Sequence, residues 1–353
     1  MRRLLGLNLR PLGATLSLLI WLAGPPTCDR NDQIARIHCL AATTLEEMIV
    51  CVQEHMPRGG SSGYVVPTAA VRRDWRHIVY NMLAGQCDQQ LHLPHTLRDN
   101  YSLATFTDGE THQTYCVLLE TTDQVPPFRQ VERGWGTFIV NPNAIRELSI
   151  QVPHPHHEPR TADQGIGIFK GSEARSFIMA GAHRHANTRP GPCQPAFLEA
   201  DASYNHESPF HAAVEGIADF YARNRQSFTA LQFHGMTYYA CKGVHVYMSY
   251  GSNTQPLPGT ALAQLRTALV KHNPDWAVRL PGEQAACRLY GGSNIQGRLL
   301  NGVAAVDVCH TSAAAVSEQF VHIVQAPGPY RHAQPWIAAI NQTFVPSEKM
   351  RIR

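Results

Sequence analysis

Residues 148–187 read LSIQVPHPHHEPRTADQGIGIFKGSEARSFIMAGAHRHAN, and this stretch decides the fold class. Two short runs, Leu148–Val152 and Ser176–Ala180, have the β-branched and aromatic content of buried strands. Between them, residues 162–169 place apolar side chains at helical spacing. The alternation continues with strand-like runs at 230–233, 245–249 and 320–324 and helix-like stretches at 209–224 and 259–271. Strands alternating with helices argue for an α/β fold, a mixed β-sheet sandwiched between helices.

Upstream the pattern differs. TTLEEMIVCVQEHM (43–56) sets a threonine before two glutamates and then apolar residues at helical spacing, which reads as a capped helix. A second helix is expected from Thr68 to Leu83, joined to the first through the glycine-rich residues 57–63. Runs at 115–120 and 136–140 are strand-like. Residues 28–122 are therefore expected to form a mostly helical extension or cap, and 123–353 the α/β domain. At the start, Met1-Arg2-Arg3 and the apolar Leu12–Gly24 before Pro25-Pro26 have the pattern of a signal peptide over 1–27. The expected location is periplasmic or secreted, with no membrane span once the leader is removed.

Export would expose the nine cysteines to an oxidising compartment, where disulfides form. No CxxC occurs, so neither a zinc ribbon nor a thioredoxin-like pair is indicated. Spacing does not set connectivity. Cys287 with Cys309, around a Gly/Asn-rich segment, and Cys193 with Cys241, around the histidine-rich core, are the pairings it suggests. The chain carries 30 Lys and Arg against 27 Asp and Glu. Three of the basic residues, Arg2, Arg3 and Arg10, lie in the leader, so the rest has no excess charge to serve as a footprint for nucleic acid. There is no Walker motif, no GxGxxG opening a helix and no GxSxG elbow.

Histidine, with 19 copies, is the unusual component. Open α/β sheets hold their chemistry in loops past the carboxyl ends of strands. There stands Pro153-His154-Pro155-His156-His157-Glu158, which can offer a zinc ion an imidazole and a carboxylate from one turn. His154, nearest the strand, is the first choice, with His156 and His157 as alternates. A third ligand is expected from His234, which ends the run Ala230–Phe233 and precedes Gly235. A His/Glu/His set leaves an open position for catalysis. After the 176–180 strand, Arg184 has the fork geometry for a substrate carboxylate, with a buried ion pair as its competing role, and Asn187 can orient an amide. Asp201 can pair with Arg184 or orient a ligand histidine, and Asn205 stands nearby as a further candidate contact for substrate. Residues 291–298, GGSNIQGR, read as an exposed turn.

Taken together, VPHPHHE, GAHRHAN, DASYNHE and LQFHGM resemble motifs of secreted bacterial proteins related to the N-formylglutamate amidohydrolase and zinc carboxypeptidase group. The resemblance spans roughly residues 133–344. It implies a sheet between helices, a zinc ion on His154, Glu158 and His234, and Arg184 as the anchor for a substrate carboxylate. Zinc carboxypeptidases space their first pair as HxxE, whereas three residues separate His154 from Glu158. They also carry a late-strand glutamate as general base, a place filled here by Val324 and Gln325. Glu318 and Glu207 are the carboxylates that could substitute. The expected activity is zinc-dependent cleavage of an amide or peptide bond in a small molecule or peptide bearing a carboxylate. The alternatives are an exported metal- or ligand-binding protein on the same fold and a metal-dependent esterase or deacetylase.

Overall fold

The computed structural model describes residues 38–87, 92–121, 133–283 and 287–346. The expected leader and Cys28 lie outside the described residues. Among the described residues nine strands form one sheet: β1 (Tyr101–Thr107), β2 (Thr114–Glu120), β3 (Thr137–Val140), β4 (Arg146–Val152), β5 (Ala174–Met179), β6 (Thr229–Gly235), β7 (Val246–Ser249), β8 (Val278–Arg279) and β9 (Phe320–Gln325). Their order is β1-β2-β3-β5-β4-β6-β9-β7-β8. The central four, β5, β4, β6 and β9, run parallel. β1, β2 and β3 continue the sheet antiparallel from β5, and β7 pairs antiparallel with β9. The fold is thus α/β with a large mixed sheet flanked by helices.

Alternation along the strands feeds two cores, because successive side chains point to opposite faces. Ile150, Phe177, Leu231 and Val321 pack with α1 (Leu45–His55), α3 (Thr161–Gly171), α5 (Ala261–His272) and α7 (Ala333–Thr343). Leu118, Ile178, Ala230 and Phe320 pack with α2 (Ala69–Leu83), α4 (Pro209–Asn224) and α6 (Ile295–Leu300). Helix starts follow the sequence signals. Thr44 and Glu47 form a capping box on α1, Thr68 caps α2, and Ser208 caps α4 with Pro209 at its first turn. Among the described residues no helix is long and apolar enough to cross a membrane.

Three features differ from the sequence reading. The segment 28–122, expected to be mostly helical with one strand-like run at 115–120, supplies β1 in addition to β2, α1 and α2. β1 is an edge strand in which only Tyr101 and Phe106 are buried, so its apolar signal is weak, and pairing with β2 defines it. Residues 291–298 do not form an exposed turn throughout: Asn294 caps α6, and Ile295, Gln296 and Gly297 are buried. The disulfides join Cys39–Cys51, Cys87–Cys116, Cys193–Cys309 and Cys241–Cys287, so both pairings suggested by spacing give way to others. Tertiary proximity decides connectivity, and sequence neighbours need not meet.

Candidate metal centre

The chain passes from β4 to β5 on one side and later returns to β6 on the other, so β4 lies between them. Strand order reverses at that point, which opens a crevice past the carboxyl end of β4. His154 and Glu158 follow β4, Arg184 follows β5, and His234 sits near the end of β6. The three expected ligands meet here: His154, Glu158 and His234 are all buried, and one ligand atom from each lies within 4.8 Å of the others. His154 Nδ1 is 2.9 Å from Glu158 Oε1, and His234 Nδ1 is 3.4 Å from Glu158 Oε2. The extra residue between His154 and Glu158 is absorbed by a turn in which Glu158 N–H donates to His154 C=O at 3.0 Å. A turn with that i, i+4 spacing sets both side chains on one side. The alternates go elsewhere. His156 contacts the Gln53 carbonyl at 2.8 Å, and His157 groups with His183 and His185.

Each candidate ligand histidine is held through one ring nitrogen. His154 Nε2 donates to Asp201 Oδ1 at 2.8 Å, and a carboxylate oxygen can only accept. For His234 the tautomer follows from a chain of bonds anchored on the backbone. Gly297 N–H donates to Asn294 Oδ1 (2.9 Å), so Asn294 Nδ2 is the donor to Gln232 Oε1 (2.5 Å). Gln232 Nε2 in turn donates to Gln151 Oε1 at 3.0 Å. Gln232 Oε1 must therefore accept from His234 Nε2 at 2.8 Å, which leaves the Nδ1 lone pair facing Glu158. A lone pair and a buried carboxylate oxygen thus oppose each other across 3.4 Å, and Glu158 Oε2 has no hydrogen-bond partner among the described residues. A cation between them removes the conflict, so the residues present fit a divalent metal. Two imidazoles and one carboxylate suit zinc, and far nitrogens bonded to buried acceptors are the usual support of such ligands.

The electrostatics agree with the geometry. Burial opposes a charge on His154, but Glu158 and Asp201 outweigh it and raise its pKa to about 9. Burial likewise opposes ionisation of Glu158, yet the neighbouring His154 holds it well below the usual carboxylate range. Asp201 is lowered against its burial by His154, Arg184 and the Ser203 N–H. His234 is pushed down, chiefly by burial.

The remaining expected residues divide. Arg184 pairs with Asp201 Oδ2, the competing role foreseen for it, and lies over the Tyr204 ring at 5.9 Å. Asp201 thereby bridges Arg184 and His154. Asn187 donates to Glu199 at 3.1 Å. Asn205 is a loop brace, donating to the Glu199 carbonyl (2.6 Å) and accepting from Glu207 N–H (3.0 Å). Glu207 is engaged with Arg72 of α2 at 3.2 Å. Glu318 precedes β9 by two residues and accepts from Tyr250 O–H at 3.1 Å. Val324 is the β9 neighbour of His234, so at about 3.3 Å per residue Glu318 lies about 20 Å away, at the other end of the sheet.

Sequence reading missed His322. Gln151, Gln232 and His322 are in register across β4, β6 and β9 and so share one face, with His234 two residues on from Gln232. The His322 ring lies 4.5 Å from that of His234, and its Nδ1 is buried with no hydrogen-bond partner among the described residues. Burial, followed by His234, holds its pKa well below the ordinary histidine value. Gly291 packs on the ring at φ 67°, where a Cβ would come within 2.7 Å of it, so glycine suits both the backbone and the space. His322 also lines a cavity of about 560 Å³ with Tyr204, Asn253, Arg288, Ser293 and Arg298. A polar residue among hydrophobic ones in a buried strand was the available signal.

No protein-family model and no curated protein matches the chain. Parts of three solved structures are similar to it. A gene product of Agrobacterium tumefaciens aligns with TM-score 0.34 and 11% identity over 55% of this chain and 86% of the other. A candidate metallopeptidase from Shewanella amazonensis has TM-score 0.26 and 10% identity over 79% and 94%. A metallo-carboxypeptidase from Burkholderia cenocepacia has TM-score 0.26 and 13% identity over 75% and 67%. Likeness at these scores bears on neither family membership nor activity.

Proposed function

We propose that the chain is a zinc-dependent hydrolase that cleaves an amide or peptide bond in a small substrate bearing a carboxylate. The observation that carries this reading is the convergence of His154 Nδ1, Glu158 and His234 Nδ1 at the strand-order reversal, with both far nitrogens held by buried acceptors. A zinc ion held there would supply acidified water and polarise a carbonyl. Asp201 orients His154 and keeps Arg184 beside it. His322, which lines the cavity with its ring 4.5 Å from that of His234, is the imidazole placed to exchange a proton with a bound substrate. The cavity wall offers a substrate carboxylate the exposed Arg288, while Arg298 spends donors on the carbonyls of Gly292, Val308 and Cys309.

Glu207 is engaged with Arg72 and Glu318 lies at the far end of β9, and this favours a second reading in which the centre binds metal or an acidic ligand without efficient turnover. Metal analysis of the purified protein and of His234→Ala, together with chelator-sensitive release of product from N-acyl amino acids and short peptides, separates the two. Turnover that vanishes with the metal supports the hydrolase; stoichiometric zinc without turnover supports the binding protein. A wild-type protein that takes up no zinc would overturn both.

A further inference from the structure

We propose that His157, His183 and His185 form a second transition-metal site at the rim of the first. His157 comes from the loop after β4, and His183 and His185 from the loop after β5. Their ring centroids stand 5.0, 5.1 and 5.4 Å apart, and one nitrogen of each lies within 4.8 Å of the others. Metal–imidazole bonds of about 2.0–2.1 Å in tetrahedral geometry set neighbouring nitrogens roughly 3.3 Å apart. His157 Nδ1 and His183 Nε2 are already 3.3 Å apart. Three imidazoles without carboxylate or thiolate select Zn²⁺, Ni²⁺ or Cu²⁺ over Mg²⁺ and Ca²⁺, which take oxygen ligands.

The backbone seats two of the rings. His183 N–H donates to the Pro57 carbonyl at 2.9 Å, Gly60 N–H donates to the His185 carbonyl at 2.7 Å, and a Cβ at Gly59 would come within 3.2 Å of the His183 ring. His157 and His185 are exposed, so an ion reaches the group without opening the fold. His183 Nδ1 accepts from His185 N–H at 3.0 Å, which places the His183 proton on Nε2, toward His157. A metal ion on Nε2 requires that proton to move to Nδ1, which then no longer accepts from the His185 N–H, so a shift of this amide marks occupancy. The ion ties the loop bearing His154 and Glu158 to the loop bearing Arg184, the two walls of the crevice.

This site does not depend on the first. Zn²⁺, and Ni²⁺ separately, would be titrated calorimetrically into the metal-free full-length protein, into His185→Ala, into His157→Ala/His185→Ala and into His234→Ala. Two equivalents are expected for the wild type and one for the double variant, with the single His185→Ala weakening the same equivalent at least tenfold. His234→Ala should lose the other equivalent and keep this one. Both substituted side chains are exposed, and thermal melts check that the variants fold. Equal numbers and affinities for the wild type and His157→Ala/His185→Ala would overturn the inference. Two equivalents in His234→Ala would instead overturn the first centre, leaving this one standing.

Discussion

Gln232 gives the sharpest test of how the first centre is built. Its Oε1 accepts from His234 Nε2 at 2.8 Å and Asn294 Nδ2 at 2.5 Å, while its Nε2 donates to Gln151 at 3.0 Å. Gln232→Leu removes the acceptor that keeps the His234 proton on Nε2. Loss of such an outer partner weakens metal binding about 10–100-fold, which is about 1.4–2.7 kcal/mol. Two buried amides, on Gln151 and Asn294, also lose a partner, at roughly 1–3 kcal/mol each in stability. Gln232→Glu keeps an acceptor for both His234 and Asn294 and loses the donor to Gln151, so it should bind zinc within threefold of the wild type. Zinc affinity would be measured by chelator competition at 25 °C, where urea melts show each variant folded. Imidazole nitrogen shifts of the metal-free protein report the His234 tautomer directly. Wild-type zinc affinity in a folded Gln232→Leu protein, or equal losses in the Leu and Glu variants, would refute the tautomer argument.

Three further outcomes are expected. His322→Asn should lower kcat about 10²–10⁴-fold while zinc affinity stays unchanged, and steady-state kinetics beside metal analysis check the split. Buried His211 has its pKa lowered to about 3 from 6.5, chiefly by burial. Because its folded-state value is depressed, its contribution is complete above pH 6.5 and declines as pH falls toward about 3, where the unfolded chain binds a proton the native state refuses. The slope is about 1.4 kcal/mol per pH unit, and urea melts across that range should show a shallower decline in His211→Gln. Among the disulfides, Cys193–Cys309 closes a separation of 116 residues and Cys39–Cys51 one of 12. Chain entropy makes their removal cost about 5 and about 3 kcal/mol, so the paired serine variant of the longer loop should melt lower by calorimetry.

The hydrophobic period along 148–187 made the α/β class legible, because burial of a strand on both faces and of a helix on one leaves different local spacings. His154, Glu158 and His234 were legible for a related reason: ligand-type side chains stand just past apolar runs, and strand ends are where such sheets expose them. The cap at the start of α1 was likewise local, since the Thr44 side chain satisfies an amide within its own first turn. The edge strand β1 was not legible, because partial burial leaves little apolar contrast.

Only the tertiary structure decided which partner each of these side chains meets. Arg184 was open between a substrate and Asp201 until the loops after β5 and before α4 were seen to meet, and Glu318 lost its candidacy once parallel pairing put it at the far end of the sheet. His322 gained its place because strand register, which no local pattern encodes, sets it beside His234 on the face shared with Gln232. Disulfide pairing and the His157/His183/His185 group belong to the same class of information. The physical reason is that backbone preference and burial act over a few residues, whereas coordination and proton placement depend on angstrom-scale distances between segments far apart in the chain.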